Sequence, residues 1–196
     1  MAAAFALGVA APVLAAVDKT AERAEYRHNM DKKIQDLQNK IAEVRADHRQ
    51  DGAKVDQKIK EYEDKIAAIK HDTSEKMKDM NNPNWDKDNK TMGDRLSDVR
   101  MNFYEWKFKR SINSYADKIA DLKDKAADET NVDKKRELDE KIAKLSAKHD
   151  AAQAKLNDLK STEGDNWEKI EHDLDSALKE IDRDFDAAKA QDTNRY

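Results

Sequence analysis

Large apolar residues recur in this chain at alternating steps of four and three. Met30, Ile34, Leu37, Ile41 and Val44 form one series, and Val55, Ile59, Tyr62, Ile66 and Ile69 form another, extended by Met77 and Met80. With 3.6 residues per turn, positions three and four apart lie on one face of an α-helix, so each series is a single narrow stripe. A half-buried strand needs a period of two instead. The pattern commits the chain to helices that bury thin seams, as coiled coils do. Between the two series lies RADHRQDGAK, which has no large apolar side chain and contains Gly52, so a hairpin turn is one solution there. Val44 and Val55 are 11 residues apart, however, about 20° from whole turns, and the stripe keeps its phase across the gap. The expectation is one helix over 18–80, about 95 Å long at 1.5 Å per residue, with Gly52 as its weak point and the hairpin as the alternative.

Punctuation beyond residue 17 is sparse, with Pro83 and three glycines. MNNPNWDKDN reads as a loop over 81–89, because the residue before proline avoids helical angles and Asn and Asp favour turns. Thr91 with Asp94, Thr130 with Asp133, and Asp165 with Glu168 stand at or near capping-box spacing. They predict helices over 90–128, 131–160 and 166–190, with 131–190 forming a helical hairpin and 191–196 a tail. Phase also survives Gly164, which leaves a continuous helix open at that point. The fold class expected is all-α: an elongated helical bundle or antiparallel coiled coil with one very long N-terminal helix.

Composition limits the core. Residues 17–196 hold 27 Leu, Ile, Val and Phe, too few for a thick globular interior, while 38 Lys and Arg nearly balance 42 Asp and Glu. Asp outnumbers Glu by 28 to 14, and Asp is the poorer residue inside a helix. Isolated helices should be marginal, so seam burial, within or between chains, is part of folding. The first 17 residues, MAAAFALGVAAPVLAAV, carry no charge and are too short to span a bilayer. They suit the apolar part of a secretory signal, and because no Lys or Arg follows Met1 the expectation is a start further upstream. The expected location is therefore export: periplasmic in a bacterium, otherwise secreted. There are no cysteines, which excludes disulfides and thiolate chemistry.

The densest aromatic stretch is MNFYEWKFKR, with Phe103, Tyr104, Trp106 and Phe108. On a helical wheel, Met92, Leu96, Val99, Phe103 and Trp106 form one stripe. Met101, Tyr104, Phe108, Ile112, Tyr115 and Ile119 form a second, about 140° away. Their overlap reads as a packing junction where a helix changes neighbours. Arg95, Arg100, Lys107, Lys109 and Arg110 are offset by Asp94, Asp98 and Glu105, a poor match to a basic groove for nucleic acid. The polar faces mix both charge signs, which argues against a membrane-surface helix. DKDNKTMG, residues 86–93, resembles a calcium loop only in part, since Lys90, Thr91 and Ser97 stand where ligands, glycine and Glu belong. His28, His48, His71, His149 and His172 are scattered, and no catalytic, cofactor or metal motif stands out. His48 and His149 fall on seams, where loss of solvent would disfavour the imidazolium and make the bundle sensitive to acid, with Asp47 and Asp150 opposing that effect. In composition and period alone the chain resembles exported coiled-coil proteins and apolipoprotein-like amphipathic helices. The functional expectation is a non-enzymatic scaffold or holdase-like protein that binds itself or other envelope proteins. A lipid-surface protein is the alternative, and neither nucleic acid nor a small-molecule substrate is indicated.

Overall fold

A computed structural model describes residues 10–47, 52–79, 81–161 and 166–193. Among the described residues the secondary structure is helical throughout: α1 (Ala10–Asp47), α2 (Ala53–Lys76), α3 (Trp85–Asp128), α4 (Val132–Ser161) and α5 (Asn166–Thr193). The fold is an all-α helical bundle in two compact units, Met1–Met101 and Asn102–Tyr196, with the division falling inside α3.

The first unit contains α1, α2 and the N-terminal part of α3. Arg45 near the end of α1 reaches Glu63 of α2 at 2.7 Å, which sets the two helices antiparallel. Arg95 of α3 meets Asp72 of α2 at 2.6 Å, and Lys76 lies 4.0 Å from Asp88, so α3 runs back along α2. Along α1 it runs in the same direction: Arg23 sits 5.0 Å from the Trp85 ring, and the Tyr26 hydroxyl donates to the Asn89 carbonyl at 2.9 Å. The buried seam combines Met30, Ile34, Leu37, Ile41 and Val44 with Ile59, Tyr62, Ile66, Ile69 and Met77, and with Trp85, Met92 and Leu96. Each large side chain removed from water contributes about 1.5–3 kcal/mol, and their sum supplies the order that an Asp-rich helix lacks by itself.

The second unit repeats this up-down-up course with the rest of α3, α4 and α5. Lys144 reaches Asp184 at 3.1 Å, Lys148 reaches Glu180 at 3.3 Å, and Lys155 donates to the Asp173 carbonyl at 3.5 Å, so partner numbers fall as α4 rises. Its core is more aromatic, with Phe103, Tyr104, Phe108, Tyr115 and Trp167 beside Ile112, Ile119, Leu145, Leu156, Leu174 and Ile181.

Three local features differ from the sequence expectation. The stretch expected as one helix over 18–80 is divided between α1 and α2, which pack on each other. Gly52 caps α2 with φ 85°, a left-handed backbone that glycine adopts at little cost, and its carbonyl accepts from Val55 N–H at 3.1 Å. Preserved phase could not distinguish the two outcomes, because a hairpin folds the same stripe onto itself. Secondly, α3 begins at Trp85 and not near 90. Asn82 Oδ1 accepts the Asn84 N–H at 2.8 Å and the Asn84 carbonyl accepts the Asp88 N–H at 2.9 Å, so the proline turn leads straight into the helix. Pro83 suits that place because an N-terminal turn leaves its missing donor unneeded. Finally, α4 is capped by Asn131 in place of Thr130: Asn131 Oδ1 accepts from Asp133 and Lys134 at 3.0 and 3.1 Å. Gly164 and the Asp165 cap lie outside the described residues, as do residues 1–9 of the apolar N-terminus. No helix among the described residues is long and apolar enough to cross a membrane.

Candidate functional site

The aromatic stretch singled out in the sequence lies on α3 at the start of the second unit. Phe103 and Phe108 are 0% exposed and Tyr104 is buried, whereas Trp106 is half-buried. Tyr104 is the centre of the group. Its ring meets Phe103 edge-on at 5.3 Å, Phe108 at 5.6 Å and Trp167 of α5 edge-on at 5.3 Å. Edge-to-face pairs at these separations add to simple burial, since the positive rim of one ring faces the negative face of the other. Rings held in this way are packing surfaces, with their faces occupied by one another.

One cation is built into the cluster. Lys107 lies 5.6 Å from the Tyr104 ring and 5.2 Å from Phe108, and its ammonium reaches Asp175 of α5 at 2.7 Å. Burial pushes the Asp175 carboxyl up, but hydrogen bonds from Lys107 and Lys179 outweigh it and hold the group below the usual carboxylate range. Further along the same helix pair, Tyr115 stacks on Phe185 at 5.8 Å with Lys118 beside both rings. Tyr115 donates to the Leu178 carbonyl at 3.3 Å, and burial together with Asp182 raises its phenol well above the usual value. Asp184, facing Lys148 at 2.9 Å and Lys144, is likewise held low, chiefly by the Lys148 hydrogen bond.

The first unit holds a different polar group. Tyr26 leans on the backbone of α3, and a Cβ added to Gly93 would stand 3.3 Å from its hydroxyl. Burial raises the Tyr26 phenol, helped by the nearby Asp94 charge. Two polar side chains lie inside this unit, Thr73 at 1% and Asn89 at 8% exposure, and neither Thr73 Oγ1 nor Asn89 Oδ1 has a protein partner among the described residues.

The histidine positions separate. His48 lies outside the described residues. His149 keeps 21% of its side chain in solvent and contacts Asp150 on its own helix at 3.0 Å, so it is not enclosed in the way a desolvated seam histidine requires. Residues 86–93, weighed above as a partial calcium loop, are within α3, where a helical backbone cannot wrap a cation. Among the described residues no group of three or more His, Cys, Asp or Glu is placed to hold a metal ion. Sequence reading did not find Lys107–Asp175, Arg95–Asp72 or Arg45–Glu63. In a chain that is 41% charged, pairs 68, 23 and 18 residues apart leave no local spacing to recognise.

These features define an all-α protein built of three-helix units around aromatic and ionic seams. No protein-family model matches the chain, and neither a curated protein nor a solved structure matches it.

Proposed function

We propose that this chain is an exported, non-enzymatic scaffold whose coiled-coil-type seams hold it together and whose charged helix faces bind other proteins or further copies of itself. The observation carrying this reading is where the apolar surface goes. Most seam residues are buried within each unit, and Val132 is the single exposed large hydrophobic among the described residues, at 81%. The outer faces carry ion pairs of both signs, such as Lys60 with Asp64 and Lys169 with Asp173. A protein of this kind presents charge pattern and shape, which govern specificity and encounter rate more than raw affinity. Holdase-like capture of unfolded clients needs an accessible apolar patch, so the scaffold is favoured over it. Attachment to lipid would likewise require the seams to open. Export rests on the uncharged N-terminal 17 residues.

Analytical ultracentrifugation of residues 18–196 with far-ultraviolet circular dichroism tests the reading. A strongly helical species that self-associates, or that binds an envelope protein with salt-sensitive affinity, supports it. A weakly helical chain, or a monomer that floats with anionic vesicles at low salt, would sink it in favour of the lipid alternative.

A further inference from the structure

The two units share more than their course. Displaced by 78 residues, α1 falls on the later part of α3: Tyr26 on Tyr104, Met30 on Phe108, Ile34 on Ile112, Leu37 on Tyr115, and Asn39-Lys-Ile-Ala-Glu-Val44 on Asp117-Lys-Ile-Ala-Asp-Leu122. Displaced by 76, Glu61-Tyr-Glu-Asp-Lys-Ile-Ala-Ala-Ile69 of α2 falls on Glu137-Leu-Asp-Glu-Lys-Ile-Ala-Lys-Leu145 of α4. Displaced by 82, Asn84-Trp-Asp-Lys87 at the head of α3 falls on Asn166-Trp-Glu-Lys169 at the head of α5. Met92, Leu96, Val99 and Phe103 then fall on Leu174, Leu178, Ile181 and Phe185. Heptad patterning alone would make apolar positions agree, but it does not place two of only three tryptophans within the first two residues of the third helix in both units.

Two copies of one unit in one chain face a pairing problem, because either third helix carries the apolar spacing that either helix pair accepts. The copies differ most where this problem would be solved. Gly93 of α3 corresponds to Asp175 of α5. In the first unit this position has no side chain, which leaves room for the Tyr26 hydroxyl to reach the α3 backbone. In the second it is a half-buried carboxylate shared between Lys107 of α3 and Lys179 of its own helix. The counterpart of Lys107 in α1 is Asn29, which carries no charge. We infer that the chain is a tandem duplication of one three-helix unit, and that residues 93 and 175, read by Tyr26 and Lys107 respectively, are the keys that direct each third helix to its own unit. Placed in the first unit, α5 would set Asp175 against the Tyr26 hydroxyl with only Lys179 of its own helix beside it and no lysine on the facing helix. Placed in the second, the head of α3 would leave Lys107 without its carboxylate, and a partly buried charge without a partner is costly.

The test transplants one key into the other lock in the full chain. Gly93→Asp should lower Tm by about 5 °C or more, the shift that follows a loss of this kind in a unit of this size. Hydrogen exchange should place the loss in Ile59–Met77 and not in Ile142–Leu159. Adding Asn29→Lys to Gly93→Asp should recover at least half of the shift, because it supplies the missing lysine; Asn29→Gln in its place should recover none. In the second unit Asp175→Gly should destabilise, and Lys107→Asn added to it should cost little more. Equal melting of Gly93→Asp and wild type, or of Asn29→Lys/Gly93→Asp and Gly93→Asp alone, would overturn the assignment. So would full additivity of Lys107→Asn and Asp175→Gly.

Discussion

Residues that look alike in the sequence differ in what they contribute. Phe108 and Trp106 are two positions apart on α3, yet Phe108 is wholly enclosed and Trp106 is half-buried. Phe108→Ala should cost about 3–5 kcal/mol and Trp106→Ala clearly less, measured as the difference in unfolding free energy from urea titration. Equal losses would mean that the enclosure of Phe108 is not what stabilises the second unit. Asp175 and Asp184 are the carboxylates to which acid sensitivity is assigned. Both are held low in the fold, so the stability they contribute is present above the ordinary carboxylate pKa of about 3.9 and is lost as pH falls through their folded values. Melts at pH 7 and pH 3 should therefore show a smaller acid-induced drop for Asp175→Asn/Asp184→Asn than for the wild type. A drop of the same size in both would place the sensitivity elsewhere.

Elements were legible in proportion to how much of their identity resides in periodicity. The seams Met30 to Val44 and Ile59 to Ile69 could be read directly, because step size alone determines which face is apolar, and the structure buries each of those residues. Ends and connections were less legible. Thr130 matches the capping pattern but Asn131 performs the cap, since either residue can offer a side-chain oxygen as acceptor and only backbone angles choose between them. Gly52 marks a weak point in the sequence, yet its left-handed backbone is invisible in a stripe that stays in phase. The duplication was present in Asn-Trp-acid-Lys at two places and is legible only when third helices are compared across a spacing of 82 residues. Two substitutions measure what the ends are worth. Gly52→Ala should destabilise by about 1 kcal/mol, the cost of a side chain in a left-handed position, even though nothing stands within 4 Å of the added Cβ. Asn131→Ala should cost about the same through the lost cap, with Asn131→Ser recovering most of it in thermal melts.

At the scale of the whole molecule, closed seams make a statement about dyes as well as partners. Anilinonaphthalene sulfonate fluorescence at neutral pH should stay near that of a compact control and rise only through the unfolding transition, because the apolar stripes are internal. Strong binding to the native chain would favour holdase-like capture over the scaffold. The charge balance, 38 basic against 42 acidic residues, gives each helix many local pairing choices and no dominant field. What directs assembly inside the chain is therefore a few contacts between helices at or beside the cores, Tyr26 on Asn89, Tyr104 on Trp167 and Lys107 on Asp175. The uninterrupted course of α3 through Met101 and Asn102 bears on the order of folding events. Starting a helix is its slowest step, since several residues must be fixed before the first hydrogen bond is rewarded, whereas extension proceeds within nanoseconds per residue. Once either half of α3 has nucleated, the other grows from an existing end, so the second unit to form is spared one initiation and its refolding should be the faster of the two.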